Sequence, residues 1–182
     1  MPYEYKICLV GPSACGKSAF AHRILKNTFL ERYDPTIEEI HPKNMSIDDK
    51  EVHIDIYDTA GTVAMSSMLM MYAKKCNGFL YIIAVNRESD LSEIRADFIP
   101  TIKEMNQENA IAVLCANKAD LVDERKITDE ELKEACEEEG IKYFLTSAKT
   151  NMNVNEAFEF VVKALLAREA PNKPKPKICS LL

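Results

Sequence analysis

Apolar residues fall along this chain in short runs separated by polar segments, and two periods alternate. Tyr5 to Val10 is a β-rich run that stops at a glycine-bearing loop, after which Lys17 to Asn27 spaces its apolar residues as a helix does. Residues 38 to 47 and 51 to 58 flank Asp48-Asp49-Lys50, and in the second stretch His53, Asp55 and Tyr57 alternate with Val52, Ile54 and Ile56. That alternation across a polar turn predicts a hairpin with one buried face. Continuous apolar runs at 79–85 and 111–116, and a shorter one at 142–146, suit central parallel strands covered on both sides. Helical spacing predicts helices near 66–75, 89–106, 128–139 and 153–168, with Pro100 bending the second.

Length adds a limit: 182 residues, 47% of them apolar, hold one α/β core and are too few for two. One domain over 1–168 and a tail over 169–182 are expected. The tail carries PNKPKPK, whose alternating prolines prevent helix and favour an extended, solvated chain. No run reaches the roughly 18 to 20 apolar residues of a membrane-spanning helix, and the polar start MPYEYK does not read as a secretory signal, so a cytosolic fold is expected. Cys8, Cys15, Cys76, Cys115, Cys136 and Cys179 lack the paired spacing of a zinc site and read as reduced thiols. Net charge is −6, and because Lys173, Lys175 and Lys177 lie in the tail, the body is more acidic still. An acidic body argues against non-specific nucleic-acid binding.

Chemistry enters with GPSACGKS, Gly11 to Ser18, in which two glycines bracket four residues ahead of Lys17 and Ser18. Glycines let backbone N–H groups close on phosphate oxygens, the lysine supplies a point charge, and the hydroxyl suits Mg²⁺. A chance match in a chain of this length is on the order of one in a hundred, and its place between a predicted strand and a predicted helix lowers that further. NKAD, Asn117 to Asp120, follows the run 111–116, and SAK, Ser147 to Lys149, follows 142–146. A carboxylate at Asp120 can accept hydrogen bonds from N1 and N2 of guanine, groups adenine does not present, so the pair of motifs points to a guanine nucleotide.

In order and spacing, GPSACGKS, YDPTIE (Tyr33 to Glu38), DTAG (Asp58 to Gly61), NKAD and SAK resemble the Ras superfamily of small GTPases over essentially the whole chain. Within it the chain looks most like the Rap part of the Ras/Rap branch, on YDPTIE, on Arg32, on Thr62 where Ras has glutamine, and on VNEAF and the C-terminal CSLL. The resemblance implies a phosphate-loop G domain, with a six-stranded, mostly parallel sheet, one antiparallel edge strand and helices on both faces. It implies a monomeric GTP/GDP switch in signal transduction, with Mg²⁺ as cofactor. Lys17, Thr36, Gly61 and Thr62 would serve hydrolysis, and Ser18 and Thr36 would ligate the metal, with Asp58 reaching it through water. Nucleotide contacts would come from Ser13, Ala14, Cys15, Gly16, Lys17, Ser18, Ala19, Phe29, Tyr33, Pro35, Thr36, Gly61, Asn117, Lys118, Asp120, Ser147, Ala148 and Lys149. Asp34, Ile37, Glu38 and Glu39 would meet a ubiquitin-fold effector domain on the edge strand, and exchange factors and activating proteins are implied as partners.

Departures from the branch sharpen the expectations. Ser13 and Ala14 stand where Ras and Rap have glycines, and Thr62 is too short to orient water as glutamine does, so slow intrinsic hydrolysis assisted by an activating protein is expected. The alternative is a GTP-locked binding module. EIHPK places His41 and Pro42 where the branch has tyrosine and a basic residue, and proline needs an edge strand. Thr62 to Tyr72 concentrates methionine, either as core or as an adaptable partner contact. CSLL fits a prenylation box with Cys179 geranylgeranylated, which together with the tail lysines predicts a lipid-anchored protein on the cytoplasmic face of a membrane.

Overall fold

β1 (Tyr3–Val10) is the fourth-from-one-edge, third-from-the-other strand of a six-stranded sheet whose order is β2-β3-β1-β4-β5-β6. The others are β2 (Glu38–Ile47), β3 (Lys50–Thr59), β4 (Gly78–Ala84), β5 (Ile111–Asn117) and β6 (Lys142–Leu145). β2 pairs antiparallel with β3 and forms an edge, and every other pairing is parallel. The structure is a computed structural model that describes residues 2–29, 38–59, 71–72, 74–93, 95–96, 100, 111–137 and 140–169.

Helices lie on both faces, as the all-buried central strands require. On one side Phe20 and Ile24 of α1 (Lys17–Lys26), with Phe158, Val161 and Val162 of α4 (Val154–Glu169), pack on Ile7, Leu9, Ile54, Ile56 and Leu80. On the other, Leu132 and Cys136 of α3 (Asp129–Glu137) join Cys8, Val10, Phe79, Tyr81 and Ile83. Adjacent residues of one strand thus serve opposite cores, which is the period of two seen in β1 and β4. α1 buries Lys17, Phe20, Ala21 and Ile24, one stripe at helical spacing, and stops at Asn27, whose left-handed φ of 55° closes its end.

The hairpin closes where Asp48 and Asp49 both take positive φ, 49° and 62°, as a two-residue primed turn demands. Its ladder runs from Ile47 opposite Lys50 to Glu38 opposite Thr59, so Pro42 does fall on an edge strand. β1 begins two residues earlier than its apolar run, because Tyr3 and Glu4 have strand partners in Val52 and His53. α2 (Ser89–Glu93) starts where the second predicted helix should, but the bend expected at Pro100 cannot be followed, since the residues on either side of Pro100 lie outside the described ones. The same holds for most of the helix expected at 66–75. Of its methionine stripe, Met71 is half exposed, while its neighbour Tyr72 is buried with its ring edge-on to Tyr57 at 6.0 Å. Cys8, Cys15, Cys76, Cys115 and Cys136 are buried thiols. No helix among the described residues is long and apolar enough to cross a membrane.

Candidate nucleotide site

Because β1, β3, β4, β5 and β6 are mutually parallel, their carboxyl ends share one edge of the sheet. Chain order jumps from β3 across β1 to β4, and ligands of open α/β sheets sit at such a reversal. The phosphate-loop motif follows β1, Asp58 is the last residue but one of β3, NKAD begins on the last residue of β5, and SAK lies just past β6. Motifs scattered over 140 or so residues are thereby brought to one rim.

The phosphate loop has the backbone its glycines permit. Gly11 sits at φ 148°, and a Cβ there would meet the Ile82 carbonyl oxygen at 2.0 Å. Gly16, at φ 102°, would press a Cβ to 2.5 Å from Asn117 Nδ2. Neither position admits a side chain. Ala14 is also left-handed at φ 59°, a conformation that strains an alanine. Lys17 is buried and folds back over the loop, its Nζ donating to the carbonyls of Gly11 at 2.8 Å and Pro12 at 2.9 Å. Ser13 and Ala14 are exposed, and Cys15 is sealed beneath them.

One amide joins this loop to the others. Asn117 Nδ2 donates to the Cys15 carbonyl at 2.9 Å, and its Oδ1 accepts from the Ala148 N–H at 3.1 Å. Ser147 Oγ donates to Asp120 Oδ1 at 2.6 Å and accepts from the Thr150 N–H at 3.1 Å. Lys118 bends the chain between Asn117 and Asp120 with φ 66°. Asn117, Asp120, Ser147 and Ala148 therefore form one bonded group against the phosphate loop.

Asp58 is 2% exposed, and its Oδ1 is buried with no hydrogen-bond partner among the described residues. Burial pushes its carboxyl above the usual aspartate range, against the pull of a Ser18 hydrogen bond and the nearby Lys17 ammonium. A sealed anionic oxygen beside a hydroxyl is a donor set that a hard divalent cation fits, and Mg²⁺ characteristically takes one or two protein ligands and completes its shell from phosphate and water. Among the described residues no cluster of three His, Cys, Asp or Glu side chains competes for that role.

Several expected site residues are not described: Tyr33, Asp34, Pro35, Thr36, Ile37, Gly61, Thr62 and Cys179. Phe29 stands just past α1 and is 38% exposed. On the edge strand, Glu39 is exposed with Oε2 at 3.2 Å from His41 Nε2, and Glu38 pairs in register with Thr59.

Three polar residues at the rim escaped the sequence reading. Arg23 donates to the Ala148 and Lys149 carbonyls at 2.9 and 2.8 Å. Arg87, just past β4, donates from Nη1 to the Ser13 carbonyl at 2.8 Å and from Nη2 to Asp90 Oδ2 at 3.0 Å. Asp90 itself is 1% exposed and also accepts from the Ala84 N–H at 2.8 Å. The only local signal for Arg23 is its place as a base in a helix's last turn, which says nothing of a loop so distant in sequence.

A sequence model of the Ras family matches residues 6–167. The chain is 35% identical to Protein ras-1 of Neurospora crassa over 162 residues, which is 89% of this chain and 76% of that one. It is also 35% identical to the Ras-like protein RAS2 of Hydra vulgaris, over 89% of this chain and 84% of that one. Against the Ras-related protein R-Ras of Mus musculus the identity is 32% over 180 residues, 95% of this chain and 83% of that one. With that coverage, and with the phosphate and NKAD–SAK loops bonded together at one rim of the sheet, the chain belongs to the Ras family of small GTPases, signalling switches that hydrolyse GTP.

Proposed function

We propose that Asp120 reads guanine by accepting from its N1 and N2, while Lys118 lays its stem on the base, Ala148 N–H meets the guanine carbonyl, and Phe29 packs at the base edge. The observation that carries this reading is the Ser147 to Asp120 bond at 2.6 Å, which orients the carboxylate and still leaves acceptor sites on both oxygens. Cys15, Gly16, Lys17, Ser18 and Ala19 hold the phosphates, with Ser13, Ala14, Tyr33 and Pro35 around them. The family generally uses Mg²⁺, and Ser18, Thr36 and, through water, Asp58 would hold it, where it would neutralise phosphate charge. Thr36 and Gly61 sense the γ-phosphate, so its loss releases two loops.

Thr62 in place of a water-orienting glutamine makes intrinsic hydrolysis slow and dependent on an activating protein, and it also supports a Rap-like position within the family. Family membership favours hydrolysis over the GTP-locked alternative. Asp34, Ile37, Glu38 and Glu39 present β2 to a ubiquitin-fold effector domain. Residues 1–168 form the G domain, and 169–182 a tail that carries geranylgeranyl on Cys179 to the cytoplasmic face of a membrane. The base assignment is tested by Asp120→Asn, which exchanges an acceptor for a donor. GTP affinity is expected to fall by about a hundredfold or more while xanthosine triphosphate, with a matching acceptor, gains. Unchanged GTP affinity would overturn the assignment.

A further inference from the structure

α1 touches both ends of the site. Its first residues, Lys17 and Ser18, belong to the phosphate motif, and its last turn reaches the loop after β6. There the Arg23 guanidinium is engaged at all three nitrogens: Nε with the Ala148 carbonyl at 2.9 Å, Nη2 with the Lys149 carbonyl at 2.8 Å, and Nη1 with the Asn27 carbonyl at 2.7 Å. Asn151 Nδ2 adds a fourth tie to Asn27 Oδ1 at 3.1 Å. Ala148 is consequently held from two sides, its N–H by Asn117 and its carbonyl by Arg23.

The acceptors explain why a guanidinium is needed. Two are carbonyls of a loop whose residues Lys149 and Thr150 are exposed, and the third is a carbonyl at the helix end, where the dipole also favours a cation. A planar fork of five donors satisfies all three at once, and charged donors make the stronger bonds. Among the described residues no carboxylate takes any of these nitrogens, so the clamp is built on backbone and answers to loop position rather than to side-chain charge.

We propose that Arg23 is a positioning residue for nucleotide retention: by tying the Ala148–Lys149 loop to the helix that begins in the phosphate motif, it sets how slowly bound guanine nucleotide leaves. The inference rests on the base-binding role proposed for Ala148 and its loop. Release requires the base loop and the phosphate motif to part, and the clamp spans that gap.

The test uses the full chain loaded with a fluorescent GDP analogue and chased with excess GDP in Mg²⁺. Arg23→Met keeps the apolar stem and removes every donor, and release is expected to accelerate about tenfold, equal to about 1.4 kcal/mol. Arg23→Lys, which can still reach one carbonyl, should accelerate it less, and Asn151→Ala should accelerate it modestly. Single-turnover hydrolysis of preloaded GTP should stay within about twofold of the parent in all three, since Lys17 and Ser18 are undisturbed. Release by Arg23→Met within twofold of the parent overturns the proposal. So does faster release with hydrolysis slowed in proportion, which marks a lesion of the whole helix. Should Arg23→Met not fold, parental release rates in both Arg23→Lys and Asn151→Ala overturn it equally. Failure of the underlying base reading has its own signature, a parent protein that binds ADP as well as GDP.

Discussion

Asp58 is held above the usual aspartate range by burial, and one of its oxygens has no hydrogen-bond partner among the described residues. A raised carboxyl pKa means that the folded protein binds the proton more tightly than the unfolded chain does. The stability linked to that proton is full at low pH and is lost as pH rises through the raised value. At neutral pH the ionised group therefore costs stability until a cation reaches it. Asp58→Asn should raise the unfolding free energy of metal-free protein at pH 7 by about 1 to 3 kcal/mol, the scale of a buried unsatisfied group. That advantage should shrink as pH is lowered toward the ordinary aspartate value. With Mg²⁺ and GDP present the sign should reverse, the variant melting below the parent. Thermal unfolding with and without a chelator, at two pH values, measures all three. A variant that is less stable in every condition would mean that Asp58 is held by protein contacts alone.

Among the elements, α3 shows how closely local sequence specified local structure. Thr128 Oγ1 accepts from the Glu131 N–H at 3.2 Å, and Glu131 Oε2 accepts from the Thr128 N–H at 2.8 Å, a reciprocal capping box. Those bonds to Thr128 hold the Glu131 carboxyl below its usual range, and Asp129 and Glu130 add negative charge where the helix dipole favours it. Thr128→Ala should cost about 1 kcal/mol in urea unfolding, while Thr128→Ser should cost little. α1, α4 and the hairpin were legible for the same reason: an apolar stripe, or an alternation bounded by a polar turn, is a local pattern. Strand ends were less so, since the start of β1 depends on partners in β3 that lie some fifty residues away. The Arg23 clamp was illegible, because nothing near Arg23 in the sequence distinguishes a base that bonds a remote loop from one that points into water.

On the scale of the whole molecule, each nucleotide-binding motif could be read where it stands, because each follows a single strand. That the motifs converge is a property of parallel topology, which the resemblance implied and the strand order β2-β3-β1-β4-β5-β6 realises. The bonds between loops, Asn117 to Cys15 and Ala148 above all, came only from the structure. The same closed arrangement has a chemical consequence for the five buried thiols. Burial pushes Cys15 up to about 11 and Cys136 up to about 12, so at pH 7 the thiolate fraction of Cys15 is about 10⁻⁴. An alkylating reagent can then reach Cys15 only when the loop above it opens. In Cys179→Ser protein at saturating maleimide, adduct formation at Cys15, followed by mass spectrometry, should level off at the rate of GDP release and slow when GDP is added. Alkylation outpacing GDP release would show that the loop breathes with its ligand in place. On that outcome the phosphate loop would not time release; if alkylation instead levels off at the rate of GDP release, the loop would carry its own stopwatch, a sulfur whose capping marks the first departure of the nucleotide.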